Sequence, residues 1–231
     1  MSDPRVLPFD TDALIQLFLT ATQTRSLLPL RTLRDEYGIQ PAIVAEVEVE
    51  LASHRKYGAK VAPEFRKALG NGTLEILDIG AMSKYVPSAL AKGVFATSQS
   101  LGRRYALIVG RGEAYTHAAA VTLDVPAVSN DVSALRALDF HGHQVPSPVL
   151  RVFDLFAFAL QTGALDVRDC DAARKELLGR NEHIPRAFQH AAFIDGMKSF
   201  CPRILDGAKS VVGIEPVPGP GYMTQIQVWK K

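Results

Sequence analysis

Tyr105-Ala106-Leu107-Ile108-Val109-Gly110-Arg111-Gly112-Glu113 and, further on, Pro126-Ala127-Val128-Ser129-Asn130-Asp131 decide how this chain is read. Each is an apolar run that breaks at small or polar residues and is followed by a helical pattern headed by an acid. After Glu113 an alanine-rich helix with Ala118, Ala119 and Ala120 runs to Leu123. After Asn130-Asp131, which supply a cap, a helix covers Val132 to Leu138. The repeated order of apolar run, turn and helix is that of an α/β domain with a mainly parallel sheet.

The same texture extends upstream. Val6 to Phe9 is a short apolar run followed by Asp10-Thr11, after which Ala13, Leu14, Leu17 and Phe18 recur at helical spacing. Further helices are expected at Leu28 to Glu36, from Pro41 to His54, at Pro63 to Leu69 and at Ser83 to Ser100. Thr73 to Leu77 alternates and reads as a strand. Downstream of Gly142, Val149 to Leu160 is apolar nearly all round, with Phe153, Phe156 and Phe158, as befits a buried helix or an interface. Gly163 ends it. Helical segments at Asp169 to Leu178 and Ile184 to Leu205 follow, and then a Pro/Gly-rich tail with an alternating run from Met223 to Trp229. The expected division is a main domain over residues 1–180 and a C-terminal helical extension and tail over 181–231.

Composition bounds the function. The chain has 231 residues, 47% of them hydrophobic and 22% charged. That balance excludes disorder and a disulfide-stapled miniprotein, and the length suffices to bury a core. Lys and Arg number 26 against 24 Asp and Glu, a formal net charge of +2, which argues against a broad basic clamp but leaves room for a local groove. Two cysteines, Cys170 and Cys201, fit no zinc spacing and suggest packing thiols in a reduced setting. With no signal-peptide layout at the N-terminus and no apolar run near ~20 residues, the expectation is a cytoplasmic protein without a membrane anchor.

In a parallel α/β sheet, ligands sit outside the C-terminal strand ends, so acids placed there are the candidates. They are Asp10, Glu46 (one turn into the helix that starts at Pro41), Glu113 and Asp131, with Asp12 two residues past Asp10. Each has a plain structural alternative. Asp10 and Asp131 are good N-caps, Glu113 suits a helix start, and Glu46 could sit on a solvated face beside Glu48 and Glu50. Together they are more telling, because carboxylates gathered at one sheet end repel each other unless a hard cation lies between them. Mg²⁺ or Mn²⁺ prefers oxygen ligands, and a water on such an ion can attack a phosphodiester. His141 and His143 lack a third ligand nearby and read as loop histidines.

At this point the chain resembles the PIN-domain family of metal-dependent ribonucleases. Val6 to Ile15 resembles its first element, a strand, an acid and a Thr/Ser before an apolar helix. Pro41 to Val47 resembles the second, a glutamate on a helix after a proline. Gly110 to Ala114, followed by the alanines, is similar to the third, and Val128 to Arg136 to the fourth. The likeness covers residues 5 to about 178. It includes a later short strand near Val145, an apolar helix and a Gly-x-Leu turn at Gly163-Ala164-Leu165. Asn130 stands where a second acid is common, Pro8 lies inside the first strand, and residues 186–231 have no counterpart.

The resemblance implies a PIN-like three-layer domain with a mainly parallel sheet flanked by helices. It implies Asp10, Glu46, Glu113 and Asp131 as the catalytic, metal-binding acids for Mg²⁺ or Mn²⁺. Thr11 would support the first acid, Asp12 would be a spare ligand, Asn130 would orient a water or ligand, and Arg111 would contact a substrate phosphate. The implied activity is endonucleolytic cleavage of RNA, with an antitoxin or other protein partner in a toxin–antitoxin setting, and a homodimer as the family habit. The alternative is a binding module of the same fold that docks a protein or nucleic acid without cutting.

Overall fold

The computed structural model describes residues 5–24, 27–146 and 149–200. The Met223–Trp229 run, Cys201 and the rest of the tail lie outside the described residues. In chain order the elements are β1 (Arg5–Pro8), α1 (Thr11–Thr24), α2 (Leu28–Tyr37), β2 (Ile39–Ile43), α3 (Ala45–Ser53), α4 (Gly58–Gly70) and β3 (Glu75–Ile76). There follow α5 (Ile79–Ser83), α6 (Ala91–Tyr105), α7 (Arg111–Leu123), β4 (Ala127–Val128), α8 (Val132–Phe140) and β5 (Val149–Leu150). The chain continues with α9 (Val152–Thr162), α10 (Val167–Gly179), a 3-10 turn (Arg186–Phe188) and α11 (Phe193–Phe200). The protein is α/β, as expected.

Among the described residues all strand pairs are parallel. One sheet has the order β1-β2-β3, the other is the pair β4-β5, and a parallel bridge between Phe9 and Val128 joins them. The composite order is therefore β3-β2-β1-β4-β5. Val6, Leu7, Pro8 and Phe9 are all buried. Successive side chains of a strand point to opposite faces, so an unbroken buried run means that helices cover both faces of the sheet. On one face α7 packs against β1 and β4, and its residues Gly112 to Ala120 are buried except Glu113. The alanines let that helix approach closely.

Pro8 is compatible with a central strand because of parity. Backbone N–H groups alternate sides along a strand. Phe9 N–H donates to Ala42 at 2.8 Å and Asp10 N–H to Val128 at 2.9 Å. The N–H that Pro8 lacks would face the β4 side, one residue before that pairing begins, so no ladder bond is lost.

Several boundaries differ from the sequence reading. Pro41 does not start a helix. It lies in β2, paired in register with Leu7, and the helix starts only at Ala45. The residue before a proline is pushed toward extended backbone, which suits a strand at Gln40. Tyr105–Val109 is the end of α6 followed by a turn, so Glu113 heads a helix that follows another helix. Short apolar runs do not distinguish a strand from a helix end. The stretch 83–100 is divided between α5 and α6, and Val149-Leu150 is a strand that precedes the apolar helix.

Residues 181–200 do not form a separate layer. Ile184, Phe188, Phe193 and Met197 belong to the same buried cluster as β1 and α9. Phe188 and Phe193 lie against Phe153 with ring centroids 4.5 and 6.0 Å away. Helix α9 is buried from Val152 to Ala159 and packs against α1, α2 and α10. Phe156 is fully buried, with its ring edge toward Phe153 at 5.7 Å. Phe156→Ala is therefore expected to cost about 3–5 kcal/mol. Phe140→Ala, at a ring 86% exposed, should stay within about 0.5 kcal/mol. Urea unfolding of the two variants checks the contrast.

Candidate functional site

The strand order reverses direction between β1 and β4, the place where a parallel sheet opens a crevice at its C-terminal edge. Asp10 ends β1 there, and Ser129 ends β4. Asp10 is 3% exposed, and its carboxylate caps α1 by accepting from the Ala13 N–H at 2.7 Å. Asp131 caps α8, its Oδ1 accepting from Ser133 N–H at 2.7 Å and Ala134 N–H at 3.3 Å. Both structural alternatives thus hold, and both caps nonetheless face a cavity. It measures about 340 Å³ and is lined by Asp10, Thr11, Asp12, Glu50, Ser53, His54, Gly110, Glu113 and Asp131.

Glu50 is the acid that α3 contributes. Its Oε2 accepts from the Thr11 hydroxyl at 2.6 Å and its Oε1 from the Gly112 N–H at 2.8 Å. A Cβ at position 112 would lie 2.2 Å from Glu50 Oε2 and 2.7 Å from Thr11 Oγ1. Only glycine admits this approach. Thr11 thus supports Glu50 where support of Asp10 was expected. Glu46 lines neither this cavity nor its larger neighbour, and its Oε2 is buried without a partner. The shift from 46 to 50 follows the shift in helix start. A helix from Pro41 puts Glu46 one turn in, and a helix from Ala45 puts Glu50 there.

Glu113 projects from the first turn of α7. The Ser129 hydroxyl lies 3.4 Å from its Oε1 and also hydrogen-bonds Asp10, so it spans the two acids. Burial pushes the Asp10 carboxyl up to about 7, against the hydrogen bonds from Ser129 and Ala13. Burial, then the charges of Asp131 and Asp12, push Glu113 up to about 8. One turn further on α7, His117 is fully buried, with Nε2 3.8 Å from Glu113 Oε1 and neither ring nitrogen hydrogen-bonded. Burial holds its pKa down at about 4, so the imidazole behind the acids is neutral at physiological pH.

A larger cavity of about 500 Å³ shares Asp12, His54 and Asp131 with the first. Asn130, Arg136, Arg151, Glu182 and His183 also line it. Asn130 Oδ1 accepts from the Val152 N–H at 3.2 Å. Arg111 is exposed and lines neither cavity. His141 is exposed and His143 packs against the Tyr105 ring, with centroids 5.2 Å apart. Cys170 is buried, and burial raises its thiol to about 12, which makes it inert.

Of the residues expected from sequence, the structure gathers Asp10, Thr11, Asp12, Glu113 and Asp131 at one cavity and Asn130 beside it, and leaves Glu46 and Arg111 outside. Glu50, Ser129 and His117 join them. His117 had a readable signal, a titratable residue inside an alanine-rich buried run. The fold and site define an α/β protein with a carboxylate-lined crevice at its sheet switch point. Among known proteins, no family model, curated relative or solved structure matches the chain.

Two outcomes follow from this geometry. Gly112→Ala forces Glu50 off its two donors and should lower stability by about 1–3 kcal/mol, read by thermal melting. An unchanged melting temperature would contradict the tie. In chelator, stability should also fall progressively from about pH 4 to pH 8 and level off above that. The folded carboxyls of Asp10 and Glu113 keep protons that the unfolded chain releases near pH 4, so their stabilisation is full below that pH, declines steadily above it, and is gone once pH passes about 7 for Asp10 and about 8 for Glu113. Asp154, raised by burial to about 7, acts in the same sense. Between about pH 4 and 6.5 His117 acts oppositely and offsets part of this loss. Asp10→Asn should flatten the melting profile between about pH 4 and 7.

Proposed function

We propose that the chain is a metal-dependent endonuclease of PIN-like kind that hydrolyses phosphodiester bonds of RNA with Mg²⁺ or Mn²⁺. The observation that supports this reading is the convergence of Asp10, Asp12, Glu50, Glu113 and Asp131 on one cavity at the switch point. The donor set is all oxygen, which suits a hard cation. Burial first, and neighbouring carboxylates after it, raise the pKa values of Asp10 and Glu113, and a bound cation would favour their charged forms. Among the described residues no group of three or more His, Cys, Asp or Glu side chains stands disposed to hold an ion, so capture entails side-chain rotation. Asp10, Glu113 and Asp131 would hold it, with Asp12 in reach.

When bound, the cation supplies an activated water and offsets charge on the phosphate. The chain's own residues prepare the place. The Ser129 hydroxyl links Asp10 and Glu113, and Glu50 closes the wall between Thr11 and Gly112. Neutral His117 fills the space behind Glu113 without adding a competing positive charge.

Asp10→Asn and Glu113→Gln are each expected to reduce Mn²⁺-dependent cleavage of single-stranded RNA by roughly a hundredfold or more. Cleavage equal to wild type in both variants would overturn the nuclease reading. A second reading, a binding module that does not cut, draws on the lack of a preassembled ligand group. Calorimetric titration with Mn²⁺ separates the two, since the module predicts no saturable heat.

A further inference from the structure

We infer that His117 is a positioning residue for the acid-lined crevice: its Nε2–H donates to Glu113 Oε1 and fixes that carboxylate as a cation ligand. The inference rests on the reading of the crevice as a Mg²⁺ or Mn²⁺ site. It starts from an unequal supply of donors. Asp10 accepts from the Ala13 N–H at 2.7 Å, Glu50 from the Thr11 hydroxyl and the Gly112 N–H, and Asp131 from the N–H groups of Ser133 and Ala134. Among the described residues Glu113 has only the Ser129 hydroxyl as a hydrogen-bond donor, 3.4 Å from its Oε1. That hydroxyl carries a single hydrogen and also serves Asp10. Glu113 therefore lacks a donor of its own.

His117 stands where that donor is needed. Four residues on along α7, it shares a helix face with Glu113, and its Nε2 lies 3.8 Å from Glu113 Oε1. The ring is fully buried, on a helix whose Ala114, Ala118, Ala119 and Ala120 are fully buried too. Neither ring nitrogen has a partner, whereas the adjoining Thr116 hydroxyl donates to the Phe9 carbonyl at 3.3 Å. A donor without an acceptor and a carboxylate without its own donor thus stand one helical turn apart, about 1 Å beyond hydrogen-bonding distance. Asp10 and Asp131 also lie in the field of the ring, but both already have backbone donors.

The gap closes through the kind of movement that capture of a cation already entails. Among the described residues no ligand group stands ready, so the acids rotate to form one. A shift of roughly 1 Å at Glu113 Oε1 brings it to a hydrogen-bonding distance of about 2.9 Å from the ring. A carboxylate that holds a cation accepts and does not donate, so the ring supplies the hydrogen. The pairing selects the tautomer protonated on Nε2 and leaves only the Nδ1 lone pair bare. Outer partners of this kind orient a metal-binding carboxylate and are worth about 10- to 100-fold in metal affinity. A ring that only filled space would contribute nothing to that affinity.

The test is calorimetric titration of the full chain with Mn²⁺, alongside thermal melting in chelator, for wild type, His117→Leu and His117→Gln. His117→Leu keeps a buried side chain of similar size without a donor. It should bind Mn²⁺ about 10- to 100-fold more weakly, while its melting temperature in chelator holds or rises, because a desolvated polar group has been removed. His117→Gln carries an amide N–H of comparable reach and should recover affinity to within about threefold of wild type. A histidine that only packs gives the reverse, a shifted melting temperature with affinity unchanged. Wild-type affinity in His117→Leu overturns the inference, and so does an equal loss in both variants. Where His117→Leu does not fold, His117→Gln is set against His117→Asn, which keeps the amide but not the reach; the loss is expected in His117→Asn alone, and equal affinities overturn the inference. The two readings fail separately. Mn²⁺ affinity lost in His117→Leu and restored in His117→Gln, with no RNA cleavage by wild type, sinks the nuclease and keeps the positioning role. Cleavage by wild type, with His117→Leu binding Mn²⁺ as tightly, sinks the positioning role and keeps the nuclease. No saturable Mn²⁺ heat from wild type sinks both.

Discussion

Everything near the crevice hangs on one short stretch of pairing between β1 and β4. Phe9 bridges Val128, and the Asp10 N–H donates to the Val128 carbonyl at 2.9 Å. These contacts join a three-stranded and a two-stranded sheet that are otherwise separate ladders. They also place Ser129 within hydrogen-bonding reach of Asp10, and α7, which lies over both strands, aims Glu113 at the same hydroxyl. Loosening this seam would separate the first acid from the others, however well each helix remained capped.

The crevice is costly to build. Two carboxyls, Asp10 and Glu113, are held at pKa values near 7 and 8, and behind them a histidine makes no hydrogen bond with either ring nitrogen. Buried polar groups without partners destabilise a fold by about 1–3 kcal/mol each. The surrounding packing compensates. The cluster that includes Phe153, Phe156, Phe188 and Phe193 spans α9 through α11 and rigidifies the side of the domain next to the larger cavity. Asp154, raised to about 7 by burial at the start of α9, is a buried carboxyl of the same kind outside the crevice.

What could be read from sequence was local. Asp10 and Asp131 were visible because a capping acid leaves its mark within three residues, and the caps are real. Gly163 takes up the left-handed conformation that ends α9, as its position after an apolar run implied. Glu50 was missed for a local reason too, since Pro41 reads as a helix start and is instead a strand residue. The apolar Tyr105–Val109 run was ambiguous because Tyr105 is buried by its helix and its hydroxyl bonds the Gln144 carbonyl, a partner that no neighbouring residue announces. His54, Arg151 and Glu182 come from separate elements. Only tertiary structure brings them to one wall.

That wall has a bearing on the order in which the molecule is made. Gln16 donates to the His183 carbonyl across 167 residues of chain, and the Tyr57 hydroxyl donates to Glu182 across 125. A growing polypeptide leaves the ribosome N-terminus first, at roughly 5–20 residues per second. The acids from Asp10 to Asp131 can therefore gather before the 182–185 segment has emerged, but the larger cavity stays open on that side until it arrives. Closure of the wall is a late event in biogenesis. Of the residues that line the larger cavity, Glu182, His183 and Pro185 are synthesised last.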